Sequence, residues 1–395
     1  MKLRALNQRV GVKDERVLVR VDTDVPVVKG KVVEGQNGRL HRAAVGIEWL
    51  RQRGAKVIVI GHRGRPNGKR VAALSLAPVA RKLEELMTGT VSFSKEITGP
   101  RVKKRVESME PGDILVLENV RFLQGEEKND PEVGSKLASL GDLYVNDAFA
   151  TSHREHASLC LLARLLPSYA GLELQHEVEV LSKVLRRAPA SLLVILGGKK
   201  IHTKIETLEA FLRAGARVCI GGALATPFYQ AQGWGIGNSS YDKKDLPLSK
   251  ELLKRYGKQL ILPEDVVTVR VIRRRAPQTA SLGTEVEDRG IIVDVGPQTI
   301  KRFQEEMSLA KTIVWNGPLG IVETPDFAKG THAVVKAMAR QTGRAMTVVG
   351  GGDTVPVVDA LGLHHAFTLV STGGGAMMAF LAGQKMPGLE ALKIS

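Results

Sequence analysis

The chain has 395 residues, 43% hydrophobic and 25% charged, which excludes wholesale disorder and collagen-like structure and leaves room for two domains. Lys and Arg total 57 against 41 Asp and Glu, a formal charge of +16 that points either to nucleic acid or to a small anionic substrate. No apolar run reaches the roughly 18 residues of a membrane helix, the N-terminus lacks an apolar signal region, and Cys160 and Cys219 make neither a disulfide framework nor a CxxC metal site, so the chain reads as cytoplasmic with no membrane partner.

In chain order, β-branched runs predict strands at Val17–Asp22, Lys56–Gly61, Asp113–Leu117, Leu143–Asn146, Ser191–Leu196, Arg217–Ile220, Ile291–Val295, Thr312–Trp315, Thr347–Val349 and Thr368–Val370. Amphipathic stretches at Arg42–Arg53, Ala77–Met87, Ile205–Ala214 and Thr331–Thr342 predict helices between them, and Glu173–Arg187 reads as one long mid-chain helix. Continuous apolar strands separated by helices need cover on both faces. They predict an α/β fold of two doubly wound parallel-sheet lobes joined by a long interdomain helix. The boundaries are 1–168 for the first lobe, 169–187 for the helix, 188–378 for the second lobe and 379–395 for a tail.

The charge is unevenly spread. Residues 1–70 hold 17 basic and 6 acidic side chains, and Arg51–Arg70 holds seven basic and no acidic ones. Arg101–Arg105 is a second basic cluster, on a surface helix or loop. No RNP1-like or KH-like motif accompanies these runs and aromatics are only 4%, which argues against nucleic acid as the partner.

Ligands of open α/β sheets bind outside the carboxyl ends of the strands. In the second half those ends are glycine clusters: Gly197-Gly198, Gly221-Gly222, Asn316-Gly317, Gly350-Gly351-Gly352-Asp353-Thr354 and Gly373-Gly374-Gly375. Glycine lets backbone N–H groups approach a phosphate, so this half is built to hold a nucleotide. In the first half the ends carry Asp22 and Asp24, His62 and Arg65, Arg121, and Arg154, a set suited to a small phosphorylated acid. Two lobes with one ligand each, closing to react, make a phosphotransfer layout. The P-loop pattern fails, since Gly64-Arg-Pro-Asn-Gly68-Lys69-Arg70 is one residue short and lacks the hydroxyl. Protein-kinase, HExxH and GxSxG patterns are absent as well.

The segments VRVDTDVP, GHRGRP, LENVRF, YVNDAFATSHREHAS, ILGGKKIHTKIETL, DVGPQTI, KTIVWNGPLGIVE, VVGGGDT and VSTGGGA resemble, in order and over nearly the whole chain, the phosphoglycerate kinase family. The resemblance implies a monomeric, Mg²⁺-dependent glycolytic enzyme. It would move phosphate reversibly between ATP and the carboxylate of 3-phosphoglycerate, giving 1,3-bisphosphoglycerate and ADP, with the tail returning to the N-terminal lobe. By motif, the 3-phosphoglycerate site falls on Asp22, Asp24, Arg39, His62, Arg65, Arg121 and Arg154. The nucleotide site falls on Lys200, Lys204, Asn316, Glu323, Gly351, Gly352, Asp353 and Thr354. Asp353 is implied as the Mg²⁺ ligand, and Arg39, Lys200 and Lys204 as the catalytic cations. An ungapped alignment puts Leu40 at the essential arginine, so Arg39 requires a one-residue shift and Arg42 is the alternative.

The chemistry is electrostatic. The attacking carboxylate is already ionised at neutral pH and needs no general base. What must be stabilised is negative charge spread over a phosphoryl group between two anions. Three departures from the family pattern stand out: Asp24 where Asn is usual, Ala223 for a third glycine, and Ala379 for a usual Glu. Asp24 swaps an amide donor for a carboxylate beside an anion, which weakens binding unless nearby cations compensate. A second reading is a weakly active family member that binds nucleic acid or another polyanion through its basic surface; Lys204, Asp353 and Arg154 argue against it.

Overall fold

β-Branched runs without polar alternation need cover on both faces, and the chain provides it with two parallel sheets flanked by helices. The computed structural model describes residues 3–9, 11–187, 189–198, 204–272, 277–282, 286 and 289–393. In chain order the strands are β1 (Arg16–Val21), β2 (Val27–Val28), β3 (Lys31–Val32), β4 (Lys56–Ile60), β5 (Val91–Phe93), β6 (Ile114–Val116), β7 (Leu143–Asp147), β8 (Ser168–Ala170) and β9 (Leu192–Leu196). They continue as β10 (Arg217–Ile220), β11 (Leu260–Ile261), β12 (Asp265–Val269), β13 (Gln278–Ser281), β14 (Ile291–Val295), β15 (Thr312–Asn316), β16 (Met346–Gly350) and β17 (Leu369–Ser371). The chain divides into two compact units, Met1–Glu179 with Lys385–Ser395, and Val180–Gln384. It passes from the first to the second within the helix Leu172–Leu185. Among the described residues no helix is long and apolar enough to cross a membrane.

In the first unit six parallel strands run in the order β5-β6-β4-β1-β7-β8. Central β1 pairs Arg20 with Ile60 on one side and with Asn146 on the other. Val17, Val19, Val21, Val57 and Val59 pack on one face against Leu40, Ile47 and Leu50 of the helix Arg39–Arg51. Each such buried side chain contributes about 1.5–3 kcal/mol. That helix starts three residues before the predicted Arg42 because the Glu34 carboxylate accepts the Leu40 N–H at 3.1 Å. An acid reaching back from the preceding loop does the work of an N-cap and places Arg39 in the first turn. The cluster at Arg101–Arg105 lies on the helix Pro100–Glu107, with Val102 and Val106 buried beneath it. The tail pairs Lys393 with Leu3, and Gly388 O accepts from Asn146 Nδ2 at 3.3 Å.

In the second unit six parallel strands run in the order β11-β10-β9-β15-β16-β17. Ile291–Val295, expected as one more parallel strand, instead joins an antiparallel sheet of order β13-β12-β14. Parallel pairing needs a long crossover, usually helical, and the described residues between β11 and β14 contain no α-helix.

Both parallel sheets reverse strand order once, at β1 in the first unit and between β9 and β15 in the second. These switch points open a crevice at the strands' carboxyl ends, and there the residues with chemistry collect.

Candidate active site

At the first switch point Asp22 follows β1 and is buried, with its Oδ2 accepting the Ala150 N–H at 3.1 Å. Burial pushes its carboxyl above the ordinary range against the pull of Arg39 and Arg20. Asp24 Oδ1 accepts the Gly64 N–H at 2.9 Å, while its backbone carbonyl accepts from Arg39 Nη1 at 2.8 Å. Arg121 is buried and donates from Nη1 to Gly64 O at 2.7 Å. Burial brings its guanidinium down to about 10, and the Glu127 carboxylate 3.3 Å from Nε opposes that. Asn119 fixes this corner by donating to Arg63 O and Leu74 O and accepting the Arg121 N–H. Arg42 turns elsewhere, donating to the Glu173 carboxylate and to Asn37 O at 3.3 Å. Of the two candidate arginines, Arg39 is the one held against Asp24.

The sequence reading missed Arg20. It is fully buried in mid-strand and donates to Val21 O at 2.6 Å and Ser158 Oγ at 3.2 Å, with Nη2 2.8 Å from His62 Nδ1. A guanidinium only donates, so His62 Nδ1 is the acceptor and its proton sits on Nε2. Nε2 lies 3.9 Å from Asp24 Oδ2, beyond hydrogen bonding. Burial, then Arg20 and Arg121, hold His62 well below the usual histidine range, so it is a neutral donor at pH 7. Glu126, also fully buried, accepts from Ser158 Oγ at 2.5 Å and from Ser158 N at 3.0 Å. The one signal available was an arginine interrupting an otherwise apolar strand.

Among the buried donors here without a hydrogen-bond partner in the described residues are Arg121 Nη2 and Arg154 Nε. Arg65 is exposed, and no hydrogen bond or ion pair among the described residues ties it to this network. Asp147 accepts the Leu174 N–H at 2.9 Å at the start of the helix Leu172–Leu185, and burial raises its carboxyl to about 7. A folded-state value raised above the unfolded one gives stability that is present at acid pH and lost as pH rises through about 7. D147N, which keeps an acceptor and carries no charge, is therefore expected to match the parent in Tm near pH ~4 and exceed it near pH ~8. Equal Tm differences at both pH values would count against the assignment.

At the second switch point Lys204 begins the helix Ile205–Arg213 and donates to Gly197 O and Asn316 Oδ1, both at 2.7 Å. Burial lowers its ammonium to about 8, opposed by the charge of Asp353. Asn316 Nδ2 donates to Gly350 O at 2.9 Å, so Lys204 and Asn316 together link the ends of β9, β15 and β16. Thr354 is fully buried and its Oγ1 accepts the Gly317 N–H at 2.9 Å. Gly317 has φ +94, and a β-carbon there would lie 2.9 Å from Lys204 Nζ and 2.3 Å from Gly197 O. Some glycines in these clusters thus serve close backbone packing; a β-carbon on Gly352, by contrast, would meet nothing within 4 Å. Lys200 lies outside the described residues.

A cavity of about 870 Å³ opens beside these strand ends, lined by Gly198, Gly222, Ala223, Thr226, Glu323 and Asp353 among others. Its size suits a nucleotide. Asp353 and Glu323 are exposed in it, whereas Lys204, Asn316 and Thr354 stand behind its wall and brace it. Ala223 lines the cavity without closing it.

The family model described as phosphoglycerate kinase matches residues 7–384. A phosphoglycerate kinase of Dictyoglomus turgidum is 41% identical over 384 residues, covering 96% of each chain, and one of Moorella thermoacetica is 41% identical over 382 residues, again covering 96% of each. Among solved structures, phosphoglycerate kinase from Coxiella burnetii superposes with a TM-score of 0.83 at 34% identity, covering 99% of both chains. The enzyme from Pyrococcus horikoshii superposes with a TM-score of 0.88 at 29% identity, covering 99% of this chain and 98% of that one. With sequence, topology and strand-end chemistry in agreement along its whole length, this chain belongs to the phosphoglycerate kinase family.

Proposed function

We propose that this chain catalyses reversible phosphoryl transfer between ATP and the carboxylate of 3-phosphoglycerate, with the acid bound in the first unit and the nucleotide in the cavity of the second. The observation that carries the acid's placement is the pair of buried, unpartnered cationic donors, Arg121 Nη2 and Arg154 Nε. A buried donor without a partner is costly, and a bound anion satisfies it. Asp22 and neutral His62 Nε2–H orient the acid, Arg39 lies beside them, and Arg65 meets it from the surface. On the nucleotide side the N–H groups of Gly351 and Gly352 take the phosphates, with Thr354 bracing their loop from behind and Glu323 toward the ribose. Lys200 and Lys204 supply positive charge to the transferring group.

The cavity's exposed Asp353 fits Mg²⁺, a hard cation that takes carboxylate and phosphate oxygens. Bound there with the nucleotide, Mg²⁺ neutralises phosphate charge. The same reading has the chain working as a cytoplasmic monomer. Family membership favours catalysis over a purely polyanion-binding role.

The test is a coupled assay for 3-phosphoglycerate-dependent ADP formation with Mg²⁺ present; no turnover above background would reject the assignment. Within the site, Asp24 is balanced by the charges of Arg63 and Arg121, so its cost is a residual one. D24N keeps an acceptor for Gly64 N–H and adds a donor. It is expected to lower the KM for 3-phosphoglycerate about two- to fivefold, the scale of a screened charge contact. An unchanged or higher KM would remove the repulsion argument.

A further inference from the structure

Asp294 of β14 lines the nucleotide cavity yet is only 1% exposed. Its Oδ1 accepts the Val295 N–H at 2.9 Å and its Oδ2 the Gly330 N–H at 2.6 Å. The cavity wall lies directly on this carboxyl: a β-carbon on Gly320 would come within 2.4 Å of Oδ1, and one on Gly330 within 2.6 Å. Among the described residues no cation pairs with it. Lys243 is the one basic side chain among the described lining residues, against the acids Asp242, Asp245, Glu323 and Asp353 beside Asp294 itself. Of the elements packed against it, β12 carries Asp265 and the helix Lys329–Ala339 carries Lys329, His332 and Lys336. Burial pushes the carboxyl up to about 7, and the two N–H bonds oppose that.

A wall with this balance of charge receives an anionic ligand against a buried carboxyl that is poised between its two protonation states. An anionic ligand entering the cavity that Asp294 lines disfavours the ionised state, and by linkage the protonated state must then bind the nucleotide more tightly.

We propose that nucleotide binding in this chain is proton-linked through Asp294, which takes up a proton as the anionic nucleotide enters the cavity. The proton comes from solvent or buffer and rests on a carboxylate oxygen, and no other bond changes. The proposal rests on the placement of the nucleotide given above and deepens it.

The experiment is calorimetric titration of the full chain and of D294N with ADP and Mg²⁺, in buffers of different ionisation enthalpy near pH 7. The parent is expected to take up more protons per nucleotide than D294N. Its Kd should tighten relative to that of D294N by about fivefold between pH ~8 and ~6. Protonation of the nucleotide's own phosphates contributes equally to both proteins and cancels in the comparison. Equal proton uptake, or parallel Kd–pH curves, would overturn the proposal while leaving the nucleotide site intact. Failure of the parent to bind ADP with Mg²⁺ would overturn the site placement and the proposal with it. Should D294N not fold, the infrared difference spectrum of the parent decides. A gain in the protonated-carboxyl band on adding ADP with Mg²⁺ near pH ~7.5 supports the proposal, and no gain overturns it.

Discussion

Lys204→Ala is expected to lower kcat by at least about 100-fold, the loss that follows removal of one preorganised electrostatic stabiliser. The ammonium is fixed before substrate arrives by Gly197 O and Asn316 Oδ1, so no reorganisation is needed when charge builds on the transferring phosphoryl group. Its proton affinity gives a second readout. With the ammonium brought down to about 8, roughly nine-tenths of the free enzyme carries the charge at pH 7, and the fraction falls as pH rises. The dependence of kcat/KM for ATP on pH should therefore bend downward near pH ~8, since that quantity reports groups of the free enzyme. K204R keeps a charge that does not titrate in this range, so the bend should vanish even though the planar guanidinium fits the oxygen cradle poorly and rates stay low. A K204A variant within threefold of the parent would remove Lys204 from the mechanism.

The second large effect separates two arginines three residues apart. Arg39→Ala is expected to cost at least about 100-fold in kcat. Arg42→Ala should leave kcat within a fewfold and lower stability by about 1 kcal/mol, the scale of a half-exposed ion pair. Arg39 Nη1 is docked on Asp24 O, and its charge reaches the buried Asp22 carboxyl. Arg42 is held on Glu173 and Asn37. Measuring kcat and Tm for both variants checks the division. A severe kcat loss in R42A with a mild one in R39A would show that Arg42 occupies the catalytic position.

Much of this was legible in the chain. Segments such as Val57–Ile60 and Leu193–Leu196 are buried throughout, and only a strand covered on both faces tolerates such runs. The strand-end rule pointed to Asp22, His62 and Asp353 without side-chain detail, and Lys204 came from the family resemblance. What escaped depended on partners far away in sequence. β5 and β8 are three residues each and β11 two, too short to show a period, and each is a strand only because a longer neighbour pairs with it. The early helix start rested on Glu34, which is no capping residue by type. Arg20 looked like an interruption in β1 and became a site residue through His62, 42 positions away.

The Arg20–Ser158–Glu126 chain bears on how this sequence can change over generations. Arg20 and Glu126 are both withdrawn from solvent and joined through Ser158, and removing either leaves a buried hydrogen-bonding group of Ser158 unsatisfied, at a cost of about 1–3 kcal/mol. A typical domain has only about 5–15 kcal/mol to lose. Each position therefore constrains substitution at the other. The hydrogen bond that fixes the proton on His62 is thus inherited together with the folding of the first unit, and selection for a stable fold also preserves it.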